Sequence, residues 1–167
     1  LNHGFNPKED IDSNAINKAI EINSLSHWRL IQIFEEIAFN KKNPNEYNSK
    51  EIWINTSEAE IQIAFSPVYE ITKRLLGDLV SLKRNELSIN KINYLTIKKL
   101  ILGPFKSKLN PQGILSAEFV AKTIIKKAEK KDYLIIITPN PITYILMPIN
   151  ECIRILYSRL VKKIYSK

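Results

Sequence analysis

Three short runs rich in β-branched and apolar residues, Glu51–Asn55, Tyr94–Leu102 and Tyr133–Thr138, are separated by stretches whose apolar residues recur every three or four positions. This alternation constrains the fold more than any other feature. Strands joined through helix-length crossovers run parallel and carry helices on their faces. The expectation is an α/β chain, one domain over residues 1–167, with a parallel sheet of about three strands sandwiched between helices.

The segments between the strands set the helices. Asp12 or Ser13 can cap a helix in which Ile16, Ala19, Ile20, Trp28, Ile31, Phe34 and Ile37 share a face to about Ala38, and the Asn- and Lys-rich stretch 40–50 reads as a loop. Ser66-Pro67 starts a second helix, since Pro is favoured at the first helical position. Its apolar face is Val68, Ile71, Leu75, Leu76, Leu79 and Val80, and its expected end is near Lys83. A third helix runs from the cap Ser116 to about Lys130. The tail 148–167 is expected to be an amphipathic helix through Ile149, Ile153, Leu156, Leu160 and Ile164.

Composition narrows the function classes. The single cysteine, Cys152, excludes an internal disulfide framework, which suits a cytoplasmic protein. Two histidines, His3 and His27, are too few for a histidine-based metal site, so no metal is expected. The formal charge of +8 comes from Lys and Arg scattered along helices, without zinc-finger, basic-zipper or aromatic RNA-binding spacing, so no nucleic-acid partner is expected. For the C-terminal helix, covering the sheet is favoured over contact with a membrane surface. The long helices also offer faces for a homo-oligomer.

Chemistry concentrates in Ile54-Asn55-Thr56-Ser57 and, after a polar loop, Ser66-Pro67-Val68-Tyr69-Glu70-Ile71-Thr72-Lys73. Residues four apart on a helix share a face, so Tyr69 and Lys73 can enter one pocket, with Ser57 at the carboxyl end of the preceding strand. A phenol is a weak base at neutral pH, and an adjacent ammonium favours its ionised form. A hydroxyl, a phenol and an ammonium so placed suit the exchange of a proton with a substrate oxygen. The same Tyr-x-x-x-Lys spacing recurs at Tyr94 and Lys98. On a strand, that spacing holds the side chains roughly 13 Å apart, so it carries no chemistry.

The arrangement resembles the short-chain dehydrogenase/reductase family, in which a strand ending in Asn and Ser precedes the Tyr-x-x-x-Lys helix. Asn2-His3-Gly4 is similar to the family's Asn-Ala-Gly turn, and Asn23 stands in the long helix where the family keeps a proton-relay Asn. Leu102-Gly103-Pro104-Phe105-Lys106-Ser107 is similar to its Pro-Gly-x-x-x-Thr element. The resemblance implies a partial Rossmann-like sandwich and a catalytic set of Asn23, Ser57, Tyr69 and Lys73, with Thr56 as the alternative hydroxyl. It implies cofactor contacts by Asn2, Gly4, Tyr69, Lys73, Gly103 and Ser107.

That resemblance further implies NAD or NADP as cofactor and interconversion of a small-molecule carbonyl and alcohol. The Gly-rich turn that cradles the pyrophosphate has no counterpart among Gly4, Gly77, Gly103 and Gly113. The expectation is a C-terminal catalytic portion, inactive alone. The alternative is a degenerate scaffold or regulatory protein that keeps this fold without catalysis.

Overall fold

The computed structural model describes residues 12–40, 50–108, 110–130 and 132–165. Three parallel strands form one sheet in the order β1 (Lys50–Ser57), β2 (Leu95–Leu102) and β3 (Leu134–Ile137). The register aligns Ser57 with Leu102, and Leu102 with Ile137. All three strands therefore end at one edge. The helices are α1 (Ser13–Ile20), α2 (Ser26–Asn40), α3 (Pro67–Ile89), α4 (Ala117–Glu129) and α5 (Pro141–Tyr165).

Side chains alternate across a sheet, and the alternation of β2 assigns the layers. Leu95 and Ile97 join Ile54 in a core with Ile31 and Ala38 of α2 and Leu76, Val80 and Leu87 of α3. Ile101 on the same face packs with Ile136 and Met147 of α5. Leu100 and Leu102 point the other way, to Val120 and Ala128 of α4, with Ile135 and Ile137. The three-layer α/β expectation is met.

Three boundaries differ from the sequence expectation. The first helix is interrupted by a widened π turn, Glu21–Leu25, between α1 and α2. Helix α3 continues past Lys83 to Ile89, because Lys83 is paired with Glu35 at 2.7 Å and Glu86 at 3.0 Å, and Leu87 is buried. A polar run in the sequence is thus a packed turn of helix. Helix α5 starts at Pro141, where Asn140 Oδ1 accepts from the Ile142 amide at 3.0 Å, and it runs through Pro148.

Candidate active site

Ser57 closes β1, and its Oγ accepts from the Ala59 amide at 3.2 Å, capping a single tight turn, Glu58–Glu60. The chain then crosses to α3, whose first turn is set by three devices. Pro67 occupies an early helical position, Ser66 Oγ accepts from the Tyr69 amide at 3.3 Å, and Glu70 Oε2 accepts from the Ala64 amide at 3.0 Å. These fix where Tyr69 enters. Ser57 and the Tyr69 phenol share a hydrogen bond, and Lys73 Nζ lies 5.7 Å from the centre of the Tyr69 ring.

Behind the pair, Thr72 ties α3 to the interrupted helix. Its Oγ1 donates to Tyr69 O at 2.9 Å and accepts from Asn23 Nδ2 at 3.2 Å, while its carbonyl accepts from Ser24 Oγ at 2.7 Å. Asn23 and Ser24 both belong to the π turn. Such turns expose backbone groups and recur at functional sites. Here the turn aims two side chains at Thr72, one of the three residues between Tyr69 and Lys73.

Across the pocket, Glu58 accepts from Thr138 Oγ1, just beyond β3, and from Thr143 Oγ1 of α5 at 3.4 Å. Gln62 bridges the same elements, donating to Thr143 Oγ1 and accepting from Asn140 Nδ2, each at 2.6 Å. The loop after β1 is therefore latched onto the start of α5.

The electrostatics differ from the simple expectation of an ammonium lowering a phenol. Burial pushes the Tyr69 phenol up; the Ser57 hydrogen bond opposes this, and the Glu58 charge adds to it. Lys73 moves the opposite way. Burial lowers its proton affinity, against the charge of Glu60. Lys73 also influences His27, whose ring is lowered by burial and then by the Lys73 charge. Burial thus disfavours the charged form of both groups, the phenolate of Tyr69 and the ammonium of Lys73.

The site residues expected from the sequence divide by location. Asn23, Ser57, Tyr69 and Lys73 are gathered at the α3 start. Thr56 is buried, and its Oγ1 donates to Leu100 O at 3.1 Å, so Ser57 is the hydroxyl that reaches Tyr69. Gly103 and Ser107 have local uses. A Cβ on Gly103 would meet Thr138 Oγ1 at 2.5 Å, and Ser107 Oγ accepts from the Asn110 amide at 3.1 Å within a turn. Asn2 and Gly4 lie outside the described residues.

Glu58, Thr138, Thr72 and His27 had not been singled out as members of this site. His27 stands four residues after Asn23, a helical spacing that was available in the sequence. No local pattern marks the other three. The Tyr94 and Lys98 pair plays no part: Lys98 Nζ is held by Ala128 O at 2.8 Å and Glu51 at 3.1 Å, and Tyr94 packs edge-on against Phe39.

No family model matches the chain. One similar curated protein is the monoglucosyldiacylglycerol epimerase of Synechocystis sp. (strain ATCC 27184 / PCC 6803 / Kazusa), 47% identical over 163 residues. The match covers 98% of this chain, but the chain spans only 38% of that relative's length. These findings overturn the membership in the short-chain dehydrogenase/reductase family read from the sequence. The relative is named an epimerase, and no model of that family matches. The physical reason is the slightness of the pattern, since two of its supports, Gly103 and Ser107, are explained by turn packing alone.

Proposed function

We propose that the chain carries the catalytic residues of an epimerase that inverts a hydroxyl-bearing carbon in the sugar headgroup of a diacylglycerol lipid, by way of the corresponding ketone. The carrying observation is the shared Ser57–Tyr69 hydrogen bond with the Lys73 ammonium 5.7 Å from the Tyr69 ring, at the carboxyl edge of a parallel sheet. The similarity to the glycolipid epimerase supports the substrate class.

The chemistry follows from the substrate. A sugar carbinol carbon has no neighbouring carbonyl to acidify its C–H, so inversion by simple proton removal is closed. The C–H bond can instead leave as hydride while the O–H proton goes to a base, and the ketone can take hydride back on its other face. No net oxidation results. The hydroxyl proton passes to Tyr69 in its phenolate form in the first half and is returned from the phenol in the second, and Ser57 hydrogen-bonds the same oxygen as it becomes a carbonyl. Lys73 keeps ammonium donors for a ligand hydroxyl, since no ion pair holds it among the described residues.

NAD or NADP supplies the hydride acceptor and donor when bound. Lys73 and Tyr69, at the edge where the three strands end, fit the sugar and ring end of such a cofactor. No Gly-rich cradle for its phosphates occurs among the described residues.

The test is the full-length gene product with monoglucosyldiacylglycerol and NAD(P), followed by analysis of the headgroup stereochemistry. Inversion with no solvent deuterium in the inverted carbon is expected, and deuterium uptake there would overturn the hydride route.

A further inference from the structure

Helix α5 has two faces. Thr143, Met147 and Glu151, four residues apart, are buried against the sheet and α3. On the opposite side Ile142, Ile145, Leu146, Ile149, Ile153, Leu156, Leu160 and Ile164 are all exposed. At 100° per residue they fill an arc of roughly 100°, broader than the narrow seam of a two-stranded coiled coil. Nothing among the described residues packs on it.

The charges beside the arc are of one sign. The only acid in α5 is Glu151, buried and paired with Lys99 at 2.8 Å and Arg84 at 3.2 Å. Arg159 and Lys163 flank one margin of the arc. Lys162 lies farther round, with its ammonium on Asn90 Oδ1 at 3.1 Å. An apolar stripe edged by Lys and Arg and free of exposed acid is the pattern of a helix lying in a membrane interface.

A second apolar element adjoins its start. Ile63 and Phe65, in the loop between Ser57 and Tyr69, are 92% and 97% exposed. This loop is latched to α5 by Gln62, through Thr143 and Asn140. The apolar tip thus belongs to the loop that joins Ser57 to Tyr69 and is fastened to the start of α5.

We infer that the outer face of α5, together with Ile63 and Phe65, docks on a lipid bilayer rich in anionic lipids and so brings the Ser57–Tyr69–Lys73 pocket to headgroups in that bilayer. This rests on the proposed function for its substrate and on the surface itself for its partner. Arg159 and Lys163 meet the anionic headgroups, each strengthening binding about fivefold at low salt. The apolar arc and the loop tip enter the acyl boundary.

The experiment is co-sedimentation of the full-length protein with phosphatidylcholine vesicles, with and without phosphatidylglycerol, at low and high salt. The native protein is expected to sediment with the anionic vesicles, less so at high salt. Leu156→Glu with Leu160→Glu should lower that binding at least tenfold while circular dichroism stays native. Ile63→Ser with Phe65→Ser should lower it less, and Arg159→Gln with Lys163→Gln should remove the preference for anionic lipid.

Leu30→Glu, on the exposed side of α2, serves as control and should bind as the native protein does. Absence of vesicle binding by the native protein overturns the inference. So does an unfolded or newly monomeric Leu156→Glu, Leu160→Glu protein alongside native-like binding by the Ile63→Ser, Phe65→Ser protein, because α5 would then be covered by protein. Vesicle binding needs no turnover, so a protein that binds vesicles but leaves the glycolipid unchanged refutes the proposed reaction alone.

Discussion

Helix α3 carries two polar clusters on one face: Tyr69 and Lys73 in its first turns, and Gly77 and Ser81 one and two turns further on. The second cluster is a closed ionic network. Lys99 of β2, fully buried, reaches Glu60 at 2.6 Å, Glu151 at 2.8 Å, Ser81 Oγ at 3.0 Å and Gly77 O at 3.1 Å. Gly77 is required there, because a Cβ would overlap the Glu60 carboxylate. In this network Glu60 and Glu151 are paired with the cations Lys99 and Arg84, although burial still raises Glu60, whereas in the first cluster burial shifts Tyr69 and Lys73 toward their neutral forms. Matched charges hold elements together; unmatched ones are available for proton transfer.

Substitutions can separate the two. Tyr69→Phe should cut turnover of the full-length enzyme by about 10²–10⁴-fold while the midpoint of urea unfolding stays within error, because only the phenol proton is lost. A matching loss of stability would show that the first cluster is structural too. Lys99→Met should do the reverse. It leaves Glu60 buried without its cation and Glu151 with Arg84 alone, and should cost about 3–5 kcal/mol of unfolding free energy, measured in urea.

Smaller effects sharpen the boundary. Gly77→Ala would gain about 1 kcal/mol on an open helix surface, yet here it should cost about 1–3 kcal/mol, since Glu60 is held by Lys99 and cannot swing away. A stabilised variant would show that carboxylate to be free. Thr56→Val should leave turnover intact and cost about 1 kcal/mol for the lost bond to Leu100 O, whereas Ser57→Ala should slow turnover without comparable destabilisation. Equal kinetic effects of the two would erase the distinction between these hydroxyls.

The mildest test is pH. Burial alone would raise Glu151, but Lys99 beside it, with Ser81 and Arg84, holds it below the ordinary carboxylate value. A lowered carboxylate contributes stability above its unfolded value and loses it as pH falls through the folded one. Burial pushes Glu60 up despite Lys99, with the Glu151 charge adding to it, so its contribution has the opposite sign. It is present below the unfolded value and lost as pH rises through the folded one. Glu151→Gln should therefore flatten the acid limb of the unfolding profile, and Glu60→Gln should not.

Much of this arrangement was readable residue by residue. The alternation of strand and helix placed Ser57 at a strand end, and Ser66-Pro67 started the helix that carries Tyr69 and Lys73. The dismissal of Tyr94 and Lys98 followed from strand geometry. The end of α3 was missed because Lys83 reads as solvated until Glu35, from another helix, is beside it. Helix α5 was read as a sheet cover against a membrane surface. It has a buried face on the sheet and an apolar outer face.

By itself the sequence determined what lies within a few residues along the chain: helical faces, caps, strand runs and the i, i+4 placement of the phenol and the ammonium. These depend on local backbone geometry, which neighbouring residues encode. Only the tertiary structure decided that Lys99 pairs with two carboxylates from distant segments, that Ser57 rather than Thr56 meets Tyr69, and that Glu58 is bound to Thr138. Such pairings join residues far apart in the chain, and they exist because burial leaves a polar group no partner but the one that packing brings to it.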